Sequence, residues 1–168
     1  TQLGANVCGY SLSLPSSPSH FDLLKLSIES HFGDIRDLSH LEKVIEDFNP
    51  DIIFHLAAQP LVRLSYKEPL ETFETNVMGS LKVYQAAKKA NSLKAFVSIT
   101  TDKVYENKEW QWGYREIDGL GGKDPYSASK AAMEIVSRSF QESFWNVNDY
   151  QKTHHVLLNG GRSKKSKF

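Results

Sequence analysis

The sequence predicts an α/β domain built on a parallel sheet, and three observations carry that expectation. Short apolar runs, Asp51–Leu56 and Leu93–Ile99, alternate with stretches of helical periodicity, the pattern of strands and crossover helices in βαβ units. Each run leads into small or polar residues, at the strand ends where such sheets bind ligands. Tyr126 and Lys130 then stand four positions apart on a helical stretch, one above the other on the same face. The 168 residues suffice for one domain with a core. Twenty basic and twenty acidic residues cancel, so charge supplies no attraction to nucleic acid or an anionic membrane. No apolar run approaches the roughly 20 residues of a membrane span, and Thr1–Tyr10 has no signal-sequence pattern. The single cysteine, Cys8, excludes an internal disulfide or a cysteine-based zinc cluster, and no metal is expected. The expected class is a soluble, cytoplasmic domain.

Taken in order, Thr1–Gly4 reads as a helix end closed by glycine, followed by a strand over Asn6–Tyr10. Ser11–His20, with two prolines and five serines, reads as a loop. Phe21–Phe32 has mixed periodicity and fits a short helix or irregular chain. Gly33–Asp37 is a turn-like edge. Ser39 with Glu42 makes a capping box for a helix whose apolar positions are Leu41, Val44, Ile45 and Phe48, and Pro50 ends it. Asp51–Leu56 is a buried strand. A long helix is expected over Pro69–Ala90 with Phe73, Val77, Leu81 and Tyr84 on one side. Leu93–Ile99 is the next strand, and a loop over Thr100–Pro125 leads to the helix of Tyr126, which continues through Met133, Val136 and Phe140.

The chemistry gathers on one rim. An ammonium near a phenol favours phenolate, so Lys130 is expected to bring the Tyr126 pKa down from about 10 toward the range where it accepts a proton from an alcohol. Ser98–Lys103 and Phe54–Gln59 close the two apolar runs on the same side. Ala57 and Ala58 permit close backbone approach to a ligand or serve as tight packing. His55 reads as a packed histidine and Asp34, taken alone, as a turn residue.

These residues together resemble the extended short-chain dehydrogenase/reductase family, the nucleotide-sugar epimerases and dehydratases, almost without interruption from Leu3 to Phe144. The stretches that carry the resemblance are Gly33–Asp37, Phe54–Arg63, Thr75–Gly79, Thr100–Asn107, Trp112–Glu116 and Gly121–Tyr126. Within the family they are nearest to the 4,6-dehydratases that act on CDP-glucose, because Lys103 stands where the dTDP-glucose and GDP-mannose enzymes carry an acidic residue. The resemblance implies a Rossmann-like doubly wound sheet, NAD as a recycled cofactor, CDP-glucose or a similar nucleotide sugar as substrate, and a homodimer formed through the helices at 69–90 and 126–144. It gives Tyr126 and Lys130 the proton transfer at the C4 hydroxyl, Thr101 a hydrogen bond to that oxygen, and Asp102, with its pKa raised by burial, the protonation of the departing C6 hydroxyl. Lys103 would act as a neutral-amine base at C5 or as an electrostatic stabiliser of the enolate. Asp34 and Ile35 would meet the adenine end of NAD. Leu56, Ala57 and Ala58 would line the ribose and pyrophosphate, and Thr100 and Lys130 the nicotinamide ribose. Asn76 fits a site residue or a polar tie between elements, and Arg63 a substrate contact.

Two departures from that family accompany the resemblance. Its first strand and Gly-rich phosphate loop have no counterpart in the sequence, where Gly4 and Gly9 lack the spacing. No substrate lobe follows Phe144. Residues 1–150 read as a partial NAD-binding domain and 151–168 as an irregular basic tail, in which Val156–Leu158 is a candidate strand and His154–His155 do not converge on a metal. Three readings follow: a CDP-glucose-type dehydratase; another epimerase or reductase of the family; or a different class, a non-catalytic remnant or a domain that only associates with partner chains. Asp102 and Lys103 after Thr101 speak against the second, since epimerisation at C4 requires no acid at C6. Little activity is expected of the chain alone.

Overall fold

The computed structural model describes residues 3–145 and the backbone of 154–158. Its first pair of strands is β1 (Cys8–Ser11) and β2 (Glu29–Phe32), joined through the short helix α1 (His20–Leu24). The second sheet has the order β3 (Ile52–His55), β4 (Ala95–Ile99), β5 (His154–Leu158), and every pairing in both sheets is parallel. No hydrogen bonds join β1 to β3 among the described residues. The candidate strand at 156–158 thus begins two residues earlier, as β5, and the rest of the expected basic tail lies outside the described residues, as does the start of the expected helix end at Thr1–Gln2.

The helices differ from the sequence expectation in instructive ways. Helix α2 (Leu38–Phe48) is capped not by Ser39 but by Asp37, whose carboxylate accepts from the His40 N–H at 3.1 Å. Its C-cap is Asn49, held at φ 49°, and Ser92 bonds the Asn49 carbonyl at 2.6 Å, tying the loop before β3 to the loop before β4. The stretch 21–32 resolves into α1 and β2, and β2 escaped notice because Glu29-Ser30-His31-Phe32 has no apolar alternation.

The long helix expected over 69–90 is three pieces, with a further short helix before it. α3 (Val62–Lys67), which sequence periodicity did not reveal, precedes α4 (Pro69–Phe73), a π-helical segment (Glu74–Gly79) and α5 (Ser80–Ala87). Phe73 is exposed, whereas Thr72, Asn76 and Ser80 are fully buried. The inward line is polar because each of these side chains holds a loop or strand. The widened turn also brings Gly79 against Ile35, where a Cβ would lie 2.7 Å from Ile35 Cδ1. The core beneath is Ile35, Leu41, Val83, Tyr84, Leu93, Phe96 and Phe140 with small alanines between them. Helix α6 (Pro125–Phe140) crosses α4, the π segment and α5, and extends through a second π turn to Trp145. β3 is only partly buried: His55 is inside, but Ile52 and Phe54 are more than half exposed on the other face.

Candidate functional site

The site forms where β3 and β4 end and α6 begins. At the end of β4, Thr100 is buried and Thr101 caps a 3-10 turn, Asp102–Val104, by accepting from the Lys103 N–H. Helix α6 starts beside it because Asp124 caps the first turn, accepting from the Ser127 N–H at 2.9 Å, and Pro125 occupies a position that needs no N–H partner. The Tyr126 N–H donates to Ser65 Oγ of α3 at 3.1 Å, which fixes the helix start to the neighbouring wall.

Thr101 and Tyr126 come together at this rim, where the Thr101 side chain eases ionisation of the Tyr126 phenol. Lys130, one turn further, is 4 % exposed, and its ammonium donates to the Ile99 carbonyl at 3.1 Å and lies 3.6 Å from Met133 Sδ. Burial pulls the Lys130 pKa down to about 8 against the upward pull of Glu134.

The expected depression of Tyr126 is not found. Its pKa is raised, chiefly by burial, with Asp102 and Asp124 adding to the rise and the Thr101 hydrogen bond opposing it. The reason is physical: the phenol is half-buried near two carboxylates, and the lysine that was to offset them directs its ammonium at a main-chain carbonyl. Asp102 is half-buried rather than buried and accepts from the Thr101 hydroxyl at 3.2 Å. Lys103 is exposed, so burial does not act on it.

The cofactor-side residues divide. Leu56 is exposed just past β3, with Ala57 and Ala58 half-buried behind it. This loop is held from below by a buried network. Asn76 Oδ1 accepts from the Gln59 N–H at 2.7 Å, while its amide donates to the Gln59 carbonyl at 3.1 Å and to Ser129 Oγ at 2.8 Å. Gln59 in turn donates to Thr72 Oγ1 at 2.9 Å. Asn76 is therefore the polar tie between elements. His55 is the packed histidine, 2.8 Å from Ser80 Oγ and edge-on to Tyr84 and Phe96. Burial, aided by the Lys130 charge, holds its pKa down at about 3. Asp34 is engaged by the Arg36 guanidinium, at 2.6 Å to Nη2 and 3.0 Å to Nε, which keeps its pKa low. Ile35 is a core residue packed on Gly79, so its side chain is committed to the interior. Arg63 is exposed on α3.

Sequence reasoning missed Glu134, which is buried and accepts from Thr100 Oγ1 at 2.6 Å. The signal was available: it stands four residues beyond Lys130, on the face shared with Tyr126. Apart from this site, Cys8, Glu29 and His31 on β1 and β2 bring a thiol, a carboxylate and an imidazole within 4.8 Å of one another. Among the described residues no helix is long and apolar enough to cross a membrane.

A family model described as GDP-mannose 4,6 dehydratase matches residues 16–150. The CDP-glucose 4,6-dehydratase of Salmonella typhimurium is 50% identical over 160 residues, 94% of this chain and 44% of that protein. A dTDP-D-glucose 4,6-dehydratase of Dictyostelium discoideum is 32% identical, over 73% of this chain and 30% of its own length. Among solved structures, the UDP-glucose 4-epimerase of Thermotoga maritima superposes with a TM-score of 0.79 at 23% identity, covering 94% of this chain and 48% of that one. A double mutant of a dTDP-glucose 4,6-dehydratase from Streptomyces venezuelae, crystallised with NAD, gives 0.77 at 24%, covering 92% and 46%. These likenesses show a Rossmann-like α/β fold. The chain spans under half the length of these curated relatives.

Proposed function

The chain belongs to the GDP-mannose 4,6-dehydratase family, and from that membership we propose that residues 1–150 form part of the NAD-binding domain, with the catalytic residues, of an NAD-dependent 4,6-dehydratase acting on CDP-glucose or a similar nucleotide sugar. The observation that carries the reading is the convergence of Thr101 and Tyr126 at the rim where β4 ends, with Lys130 one turn below and Asp102 and Lys103 in the adjoining turn.

The residues fit a nicotinamide ribose. Lys130 carries three donors, of which one meets a carbonyl and another only a thioether, leaving capacity for a vicinal diol. Ala57 and Ala58 leave room beside it for a backbone-lined ligand. When bound, NAD supplies the acceptor for the C4 hydride and returns that hydride to C6, so the overall reaction is loss of water with no net redox change.

The chain's own residues perform the proton work. Tyr126 takes the proton of the C4 hydroxyl as the C–H bond at C4 breaks, and the Thr101 hydroxyl holds that oxygen in line. Because burial raises the phenol, Tyr126 accepts this proton only as the phenolate, after its own proton has passed to solvent. The resulting ketone acidifies the C5 hydrogen. The C5 proton passes to water while Lys103, exposed at the rim, stabilises the enolate charge, and Asp102, acting in its carboxylic acid form, delivers a proton to the C6 hydroxyl as it leaves as water.

Replacing Tyr126 by Phe tests this. In the protein that carries this chain, turnover of CDP-glucose to the 4-keto-6-deoxy product is expected to fall by roughly 10²-fold or more, with NAD affinity and circular dichroism unchanged. Near-normal turnover would refute the role of Tyr126. A homodimer through α4, α5 and α6 is part of the same proposal, supported by the exposed apolar Leu70, Ile135 and Phe144 on or next to those helices.

A further inference from the structure

A carboxylate buried beneath the rim has no packing reason to be there. Glu134 is 7 % exposed on the inward face of α6, where an apolar residue would pack without the cost of desolvating a charge. Two of its neighbours are site residues, and the third is the buried Tyr84 phenol of α5, whose pKa its charge helps to raise. Thr100 donates to its Oε1 at 2.6 Å from the end of β4, and Lys130 lies one helical turn before it.

We propose that Glu134 is a positioning residue that keeps the Lys130 ammonium charged and pins the Thr100 hydroxyl at the end of β4, so that Thr101 and Tyr126 are presented in register. The stripe Tyr126–Lys130–Glu134, at successive intervals of four residues, is then one electrostatic unit read along a single helix face.

The surroundings of Lys130 make this role specific. Burial acts to discharge it, and Glu134 is the group that opposes burial; the effect is mutual, since Lys130 pulls Glu134 down while burial pushes Glu134 up. His55, the titratable group facing Lys130 from β3, is held neutral and contributes no counter-charge. Asp102 and Asp124 act on Tyr126 instead. Thr100 completes the arrangement by donating to the carboxylate, which favours its ionised form.

The inference rests on the reading of Tyr126 and Lys130 as site residues, and its test separates the two. The ε-methylene resonance of Lys130, identified by its loss in Lys130→Arg, is titrated in the wild type, Glu134→Gln and Glu134→Asp. The expected result is a downward shift of the Lys130 midpoint in Glu134→Gln, equal to a loss of about tenfold or more in proton affinity, partly rescued in Glu134→Asp. An unchanged midpoint overturns the proposal, and so does a drop in melting temperature with no change in titration, which would make Glu134 merely structural. Should Glu134→Gln not fold, Thr100→Val provides the same readout by removing the donor that holds the carboxylate ionised, and an unshifted Lys130 there overturns the proposal equally. Calorimetry with NAD between pH 6 and 9 separates the two readings. If the wild type binds no NAD while the Lys130 midpoint still moves, the functional reading fails and the charge coupling stands.

Discussion

Acid should destabilise this chain chiefly through one buried imidazole, and the effect has a definite size. His55 closes β3, 2.8 Å from Ser80 Oγ, and its pKa is lowered from 6.5 to about 3 by burial and by the Lys130 charge. Between those two values the unfolded chain binds a proton here that the folded chain does not, so stability falls as pH falls through that window. A shift of this size corresponds to about 5 kcal/mol if fully expressed, of which roughly 2 kcal/mol is lost between pH 7 and pH 5. That is a large fraction of the margin by which domains are stable. The assay is urea unfolding at pH 7, 6 and 5 for the wild type and for His55→Gln. The variant is less stable at pH 7 through lost packing, but its loss on acidification should be smaller by about 2 kcal/mol. Equal losses in the two proteins would refute the assignment, because the two differ only at residue 55.

Gly79→Val should destabilise by about 1–3 kcal/mol, since even a Cβ at this position meets Ile35 Cδ1 at 2.7 Å; thermal unfolding measures it, and a neutral result would mean that Ile35 can move aside. Sedimentation of the protein carrying this chain should show a dimer that Ile135→Glu dissociates, and a monomer in the wild type would count against the helix-mediated association.

The placing of Tyr126 and Lys130 was legible in the sequence because helical period fixes it: the two share a face wherever the stretch is helical. Thr101 was legible as the residue just past an apolar run. What could not be read was anything that depends on elements distant in sequence. The direction of the Tyr126 shift follows from how Asp102, Asp124 and burial sum at one oxygen, and spacing alone does not order those terms. The resemblance placed Ile35 at the adenine end of NAD, and nothing in its spacing showed that Gly79 would approach from the π segment and put its side chain in the core. β2 and α3 lack their usual marks: the first has no apolar alternation, and Leu61, the N-cap of the second, has no side chain that can cap. The buried polar line Thr72, Asn76, Ser80 contradicts the expected apolar stripe for the same reason, since its partners Gln59, Ser129 and His55 come from elsewhere in the chain.

The π turn between α4 and α5 carries a consequence for how the protein tolerates length changes. A π turn accommodates one residue more than an α turn, and each residue of an α-helix advances the chain by about 100° around the axis. Deleting a single residue from Glu74–Gly79 would let the helix run straight. Because the turn had absorbed that residue, Val83 and Tyr84 would still face the interior in line with Thr72, whereas straightening the segment at full length would rotate them out by that angle. The extra residue thus acts as a phase shifter, allowing one continuous rod to turn hydroxyl and amide groups toward the loop after β3 at one end and an aromatic ring toward Phe96 at the other.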